Sequence, residues 1–338
     1  MTIPNNDFLA LTLAHQEAIE PFSFSFLTGT AFVEDTGILR LEPNTPSDVN
    51  LVLSVGVHGN ETGPIELVNQ LVSQLLTGKL TLKVRLLVLI GNPVAANQAK
   101  RFCEVNLNRL FVGVWQQYEG YEASRAERLE QAISDFFAPI ADKPEGLKLH
   151  YDLHTAIRGS EYEKFAVYPY VENAVYHRAQ LEFLAASGID AVLFSHQATT
   201  TFSYYSHKVH GAHSFTIELG KVHAFGENDL SRFADINTSL TTLLTRGYCP
   251  RVSASTMTLF KVLDSLIKDD DSYRLNLAND VKNFTQFDEG FVLAESIKSQ
   301  YLVEKTGDAL VFPNTQLPIG QRAGLMVRPI TQGDLTLN

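Results

Sequence analysis

Apolar and polar positions repeat at two different periods along this chain, and each change of period marks an element. Leu51-Val52-Leu53-Ser54-Val55 is a short, β-branched apolar run suited to a buried strand. After the Gly56 to Pro64 stretch it gives way to positions spaced for a helix over about 63–76, closed near Gly78. The alternation continues with a strand at 83–90, stopped by Gly91-Asn92-Pro93, and a short helix over about 93–100. A helix over about 122–137, bounded by Pro139, leads to strands at 147–153 and 165–168, a helix over about 173–187, strands at 191–194 and 213–219, and a helix at 229–246. Strand and helix in turn predict an α/β fold built on a mixed, mostly parallel sheet with helices on both faces.

Ahead of that region, helical spacing runs from Phe8 to Ile19, followed by strand-like runs at 22–27, 30–32 and 37–41 and a loop over 42–48 rich in Pro, Asn and Ser. Beyond about 254 the pattern shortens. Alternating runs at 259–263, 290–294, 301–303 and 310–312 are divided by turns such as Lys305-Thr306-Gly307-Asp308, which predicts a small C-terminal β domain. The expected division is 1–253 for the α/β part and 254–338 for the β-rich part. The mixed charges of the 122–137 helix read as a solvent face.

Composition narrows the function classes. With 338 residues and 45% hydrophobic content the chain can bury a full core. A formal net charge of −11 argues against nucleic acid as a partner, because phosphate neutralisation needs clustered Lys and Arg. No apolar run approaches the roughly 18 residues of a membrane span, and the first residues carry neither signal-peptide nor transit-peptide features. The cytoplasm is the expected compartment, and a homo-oligomer is compatible with the sequence. Two cysteines, Cys103 and Cys249, are too few for a disulfide framework and read as ordinary core or neutral residues.

Candidate chemistry sits where strands end. The strand beginning at Leu51 runs out at His58, in Gly56-Val57-His58-Gly59-Asn60-Glu61, and strand ends that open into helices are where α/β sheets place ligands. His58 and Glu61, three apart in a turn, are both ordinary zinc-ligand types. A further histidine, His154, ends the 147–153 strand in Tyr151-Asp152-Leu153-His154. Glu218 lies within the otherwise apolar Ser214-Phe215-Thr216-Ile217-Glu218-Leu219-Gly220, where a carboxylate must be paired, metal-bound or shifted in pKa. Two histidines and one carboxylate for a metal, with a second carboxylate for proton transfer, make the set a zinc hydrolase needs. His150, His213 and His223 read as strand or loop histidines.

With these residues in view, the sequence resembles the succinylglutamate desuccinylase and aspartoacylase family of zinc carboxypeptidase-like hydrolases. The resemblance rests on Gly56-Val57-His58-Gly59-Asn60-Glu61, Gly91-Asn92-Pro93, Asn106-Leu107-Asn108-Arg109-Leu110-Phe111, Asp152-Leu153-His154-Thr155 and Ile217-Glu218-Leu219-Gly220, in the family's order. Asp152 through Arg158 and Val311-Phe312-Pro313-Asn314 lean toward its desuccinylase side. The resemblance implies one zinc ion per chain held by His58, Glu61 and His154, with Glu218 as general base. It implies substrate binding by Arg101, Asn108 and Arg109, with Arg158 and Lys208 as further candidates, and in the mechanism expected of such a site Arg101 also stabilises the oxyanion. The implied substrate is a small anionic N-acyl amino acid, N-succinylglutamate first, met in arginine catabolism by the succinyltransferase route. An aspartoacylase-like amidohydrolase, a carboxy-terminal peptidase and a non-catalytic metal-binding module are the rivals. Asn106 departs from the aspartoacylases, which have Asp there.

Overall fold

The computed structural model describes residues 1–139, 145–278 and 280–338. After α1 (Phe8–Ala14) come β1 (Phe22–Phe26), β2 (Gly29–Asp35), β3 (Ile38–Pro43) and β4 (Val49–Val55), then α2 (Thr62–Leu76), β5 (Arg85–Ile90), α3 (Pro93–Asn97) and α4 (Tyr121–Phe137). The middle of the chain supplies β6 (Leu147–Ala156), β7 (Phe165–Tyr168), β8 (Val175–Tyr176), α5 (Arg178–Ala186), β9 (Ala191–Phe194), α6 (Phe202–His210), β10 (His213–Lys221) and α7 (Ala234–Arg246). The remainder is β11 (Thr258–Ile267), β12 (Arg274–Leu275), β13 (Thr285–Phe287), β14 (Val292–Glu295), β15 (Gln300–Leu302), β16 (Asp308–Val311), β17 (Arg322–Ile330) and β18 (Thr336–Leu337).

One 13-stranded mixed sheet organises the molecule, in the order β1-β2-β3-β5-β4-β6-β10-β7-β9-β11-β17-β16-β13. Its centre is parallel except where β10 meets β7, and its two flanks are antiparallel meanders. Strands buried on both faces explain the continuous apolar runs of β4 and β5. Leu51, Leu53 and Val55 pack on one face with α2, α5 and α7, while Val52, Leu87 and Leu89 pack on the other with α4 and α6. The C-terminal strands continue the sheet, since β11 pairs in parallel with β9. A β-rich region with its own apolar cluster around Leu266, Leu293, Leu310 and Met326 follows. Among the described residues, no helix is long and apolar enough to cross a membrane.

The expected elements differ from the structure in three instructive places. The 173–187 helix starts only at Arg178, because Val175 and Tyr176 pair with Thr336 and Leu337 as a second, two-stranded sheet. The helix α6 was not expected. Its buried side carries Ser203 and Ser206, whose hydroxyls bond Thr216 and His150, so the apolar periodicity that betrays a helix is broken by satisfied polar residues. The 122–137 helix is not a purely solvated face: Glu122 is 1% and Arg125 5% exposed. Arg125 donates to the carbonyls of Ile90 and Gly91 at the end of β5. Glu122 accepts from the backbone N–H of Cys103 (2.6 Å), that of Glu104 (3.3 Å) and the side-chain amide of Asn92 (3.2 Å).

Glu122 thus ties the loop after α3 to α4. Replacing it by Ala leaves the buried Asn92 amide without its acceptor, at about 1–3 kcal/mol, and also frees the part-buried N–H groups of Cys103 and Glu104. Glu122→Ala is expected to lose at least about 2 kcal/mol in urea unfolding, while a solvent-face charge such as Glu127 replaced by Ala should change stability by less than about 0.5 kcal/mol.

Candidate active site and metal centre

Register in the parallel centre of the sheet assembles the site. The ends of β4 and β6 are neighbours, with Val55 opposite Leu153, and β10 lies against β6 with Glu218 opposite His154. Paired residues of adjacent strands stand about 4.8 Å apart with side chains on one face, so His154, near the end of β6, and the carboxylate of β10 share a wall. The loop leaving β4 completes it. Gly56 turns the chain with φ +62°, a conformation that favours glycine. Gly59 passes so close to α3 that a Cβ would lie 2.3 Å from the Ala96 nitrogen. These two glycines let His58 and Glu61 reach the ends of β4 and β6.

The ligand atoms of His58, Glu61 and His154 all lie within 4.8 Å of one another, and all three residues are buried. Glu61 is the hub. Its Oε1 is 2.8 Å from His58 Nδ1 and 2.7 Å from Arg101 Nη1, and its Oε2 is 2.8 Å from His154 Nδ1 and accepts from the Thr155 N–H at 3.1 Å. Burial opposes the charge on Glu61, but His58 and His154 hold its carboxyl well below the usual range. Burial, helped by Arg101, pushes His58 down to about 4 in spite of Glu61. For His154 burial is outweighed by Asp152 and Glu61 on its two sides, which hold it well above the ordinary value.

The outer nitrogens fix the inner ones. His58 Nε2 is 3.0 Å from Asn106 Oδ1, and an amide oxygen can only accept, so Nε2 carries the proton and Nδ1 keeps its lone pair. His154 Nε2 donates to Asp152 Oδ2 at 2.8 Å in the same manner. Both imidazoles therefore turn Nδ1 toward Glu61. His58 Nδ1 stands 2.8 Å from a carboxylate oxygen yet is out of line for a hydrogen bond, a buried nitrogen with no hydrogen-bond partner among the described residues. Two imidazole nitrogens and a carboxylate around one point, each ring anchored from behind, fit a divalent cation of the zinc type.

Glu218 is 7% exposed and, among the described residues, its Oε2 has no hydrogen-bond partner. Burial first, and then the Glu61 charge, raise its pKa to about 7 against the pull of His154 and Arg101. A carboxyl group so placed can take and return a proton near neutral pH. Arg101 is half-buried and held by Glu61. Asn108 is 5% exposed, and its Oδ1 accepts from the Phe202 N–H at the start of α6, at 2.9 Å. Arg109 is crowded by protein yet solvent-reached, as in an open cleft. Burial, with Arg322 and Arg101 nearby, lowers it to about 9.

The structure thus brings His58, Glu61, His154, Glu218, Arg101, Asn108 and Arg109 into one region. Arg158 lies in the turn just past β6, half-buried. Lys208 is set apart. It is exposed in the last turn of α6, its ammonium 6.0 Å from the Tyr204 ring centroid. That turn is about 9 Å along the helix from Phe202, toward the start of β6, where Lys148 donates to His210 O. Three residues that sequence reasoning did not assign stand beside the site. Asp152 and Asn106 orient the histidines, and their position inside the matched motifs was the only signal. Arg322, at the start of β17, carried no signal because its place depends on how the C-terminal strands fold back. Burial lowers its pKa, and among the described residues neither it nor Arg109 has a carboxylate partner. A cavity of about 520 Å³ lined by His177, His213 and Arg251 opens at the other end of the strands, next to Leu147 and away from these residues.

Residues 47–244 match the succinylglutamate desuccinylase/aspartoacylase catalytic domain, and residues 255–330 match the AstE/AspA barrel-sandwich hybrid domain. Among similar proteins, the succinylglutamate desuccinylase of Shewanella piezotolerans is 43% identical, covering 98% of both chains. That of Shewanella amazonensis is 44% identical, covering 96% of this chain and 95% of the other. Among solved structures, the succinylglutamate desuccinylase of Chromobacterium violaceum superposes with a TM-score of 0.84 at 37% identity over 96% of this chain and 98% of that one. The Vibrio cholerae protein of the same name gives 0.87 at 31% over 95% and 94%.

Asn106 offers a direct check on the ligand geometry. Asn106→Ala frees the His58 ring and is expected to weaken metal binding by about 10-fold or more, the usual effect of losing an outer partner. Asn106→Asp keeps an acceptor and should stay within a few-fold of the parent. Competition against a chromophoric chelator measures both.

Proposed function

The chain belongs to the succinylglutamate desuccinylase/aspartoacylase family, and from that premise we infer that it is a zinc-dependent amidohydrolase. Its substrate in this reading is N-succinyl-L-glutamate, cleaved to succinate and glutamate in the cytoplasm as a step of arginine catabolism. The observation that carries the reading is a buried His58, Glu61 and His154 cluster with Glu218 in register beside it, its Oε2 without a hydrogen-bond partner among the described residues. A non-catalytic metal module has no use for that fourth group.

His58, Glu61 and His154 would hold the ion. When bound, zinc supplies Lewis-acid polarisation of a carbonyl and lowers the pKa of water to about 7. Glu218 accepts a proton from the attacking water. Arg101, anchored through one nitrogen on Glu61, keeps its remaining donors for the oxygen on which charge develops. The C–N bond then breaks, and Glu218 passes its proton to the departing amine. Water adds across the amide, giving a carboxylate and an ammonium group.

Substrate class follows from charge. N-succinylglutamate carries three carboxylates at neutral pH, and Arg forks suit them better than Lys does. Arg109 and Arg322 lack acidic partners of their own within the described residues, and Asn108 has its amide N–H groups to offer. In this reading residues 1–253 form the hydrolase unit, while 254–338 supply the cleft wall that bears Arg322. Arg158 is kept as a substrate contact. Lys208 has no support from its position.

Three outcomes test the proposal. Glu218→Ala should retain its metal by elemental analysis and lose hydrolysis by on the order of 100-fold or more, whereas His58→Ala should lose the metal itself. In a side-by-side assay N-succinylglutamate should be turned over faster than N-acetylaspartate and N-acetylglutamate, and equal or faster use of an acetyl substrate would make the chain an aspartoacylase-type enzyme. Arg322→Leu should raise KM for N-succinylglutamate by about 10-fold or more with kcat little changed, the signature of lost uniform binding.

A further inference from the structure

Behind the metal centre lies a second set of polar side chains, none of which touches the cleft. Ser54, His150, Asp152 and Ser206 are all 0% exposed, and they sit among the apolar residues of β4, β6 and α6. Buried polar groups are expensive unless every donor and acceptor is matched. Here the matching has one solution.

Asp152 accepts through both oxygens: Oδ2 from His154 Nε2 at 2.8 Å and Oδ1 from the Ser54 hydroxyl at 2.5 Å. Ser54 has a single hydrogen, and it is spent on Asp152. At 2.7 Å from His150 Nε2, Ser54 Oγ can therefore only accept, so His150 carries its proton on Nε2. A neutral imidazole has one N–H, which leaves His150 Nδ1 as an acceptor. Ser206 Oγ, 2.7 Å away, donates to it. The direction is fixed from end to end: Ser206 to His150, His150 to Ser54, Ser54 to Asp152, with His154 donating to Asp152 from the other side. Burial, the main effect on the His150 ring, pushes it down to about 4 and keeps it neutral.

We propose that Ser206, His150 and Ser54 are positioning residues for the metal centre, a one-way line of hydrogen bonds from α6 that locks Asp152 and, through it, the tautomer and ring orientation of His154. The inference rests on reading His58, Glu61 and His154 as metal ligands. It extends that reading to residues with no contact to ligand or substrate. The line also starts where the substrate side is built. Phe202 at the head of α6 donates its N–H to Asn108, stacks on Phe111 with ring centroids 4.1 Å apart, and meets the His150 ring edge-on at 4.9 Å. One short helix therefore sets both Asn108 and the support of His154.

Cutting the line at Ser54 leaves His150 Nε2–H and Asp152 Oδ1 unmatched and lets the Asp152 carboxylate turn. The test titrates metal-free protein with Zn2+ against a chromophoric chelator, and follows thermal unfolding of the same metal-free samples. Ser54→Ala is expected to weaken zinc binding by about 10-fold or more, and Ser206→Ala, a mild change on a helix, by at least about 3-fold. Ser54→Thr, which keeps the hydroxyl, should bind within about 3-fold of the parent. A purely structural role would lower the unfolding temperature of the metal-free variants and leave zinc affinity alone. Zinc binding by both Ser54→Ala and Ser206→Ala within about twofold of a zinc-binding parent overturns the line. Failure of the parent protein to bind zinc would overturn the metal reading, and the line with it.

Discussion

One buried carboxylate, Glu61, holds the centre of this molecule together. Two histidines from different parts of the chain, an arginine and a backbone N–H all converge on its two oxygens. A charge in such a place is tolerable only because every neighbour favours it. Glu61 sits just before α2, so the helix, the β4 loop and the ends of β4 and β6 are mutually positioned through it. A divalent cation would lie among charges already arranged to receive it, with Nδ1 of each ring presented and Nε2 of each ring tied back.

Around that hub the fold supplies supports from several directions. Asn106 belongs to the loop that α4 grips through Glu122, and Asp152 belongs to β6 itself. Arg101, Asn108 and Arg109 ride on the same gripped loop, so these three side chains inherit the rigidity of a helix without being part of one. From the far side of the sheet, β17 brings Arg322 toward Arg109. Positive charge is thereby concentrated in one cleft of a protein whose net charge is −11. Overall charge describes how the molecule meets macromolecules, and the local arrangement describes what small ligand it can hold.

Much of this was legible in the chain before folding. The strand and helix alternation from β4 to α7 follows from apolar period, which buried parallel strands and amphipathic helices express directly. His58 and Glu61 stand out through short-range spacing, and Glu218 through the oddity of a carboxylate in an apolar strand. The element that escaped, α6, did so because Ser203 and Ser206 occupy its buried side and read as surface residues. Glu122 and Arg125 read as solvated charges for the complementary reason: their partners are mostly backbone groups distant in sequence, which no local pattern reports.

The sequence by itself determined which residue types could bind a metal, where most of the strands and helices would lie, and which family the motifs resemble, because those properties depend on residues within a few positions of one another. Only the tertiary structure decided that His154 and Glu218 are register neighbours, that Lys208 is carried down α6 away from Asn108 while Arg322 turns toward Arg109, and that a line of buried hydroxyls and one imidazole backs Asp152 and His154. Those facts depend on strand order, chain direction and the matching of single donors to single acceptors. These are settled when distant segments exclude water together, not by any stretch of chain alone.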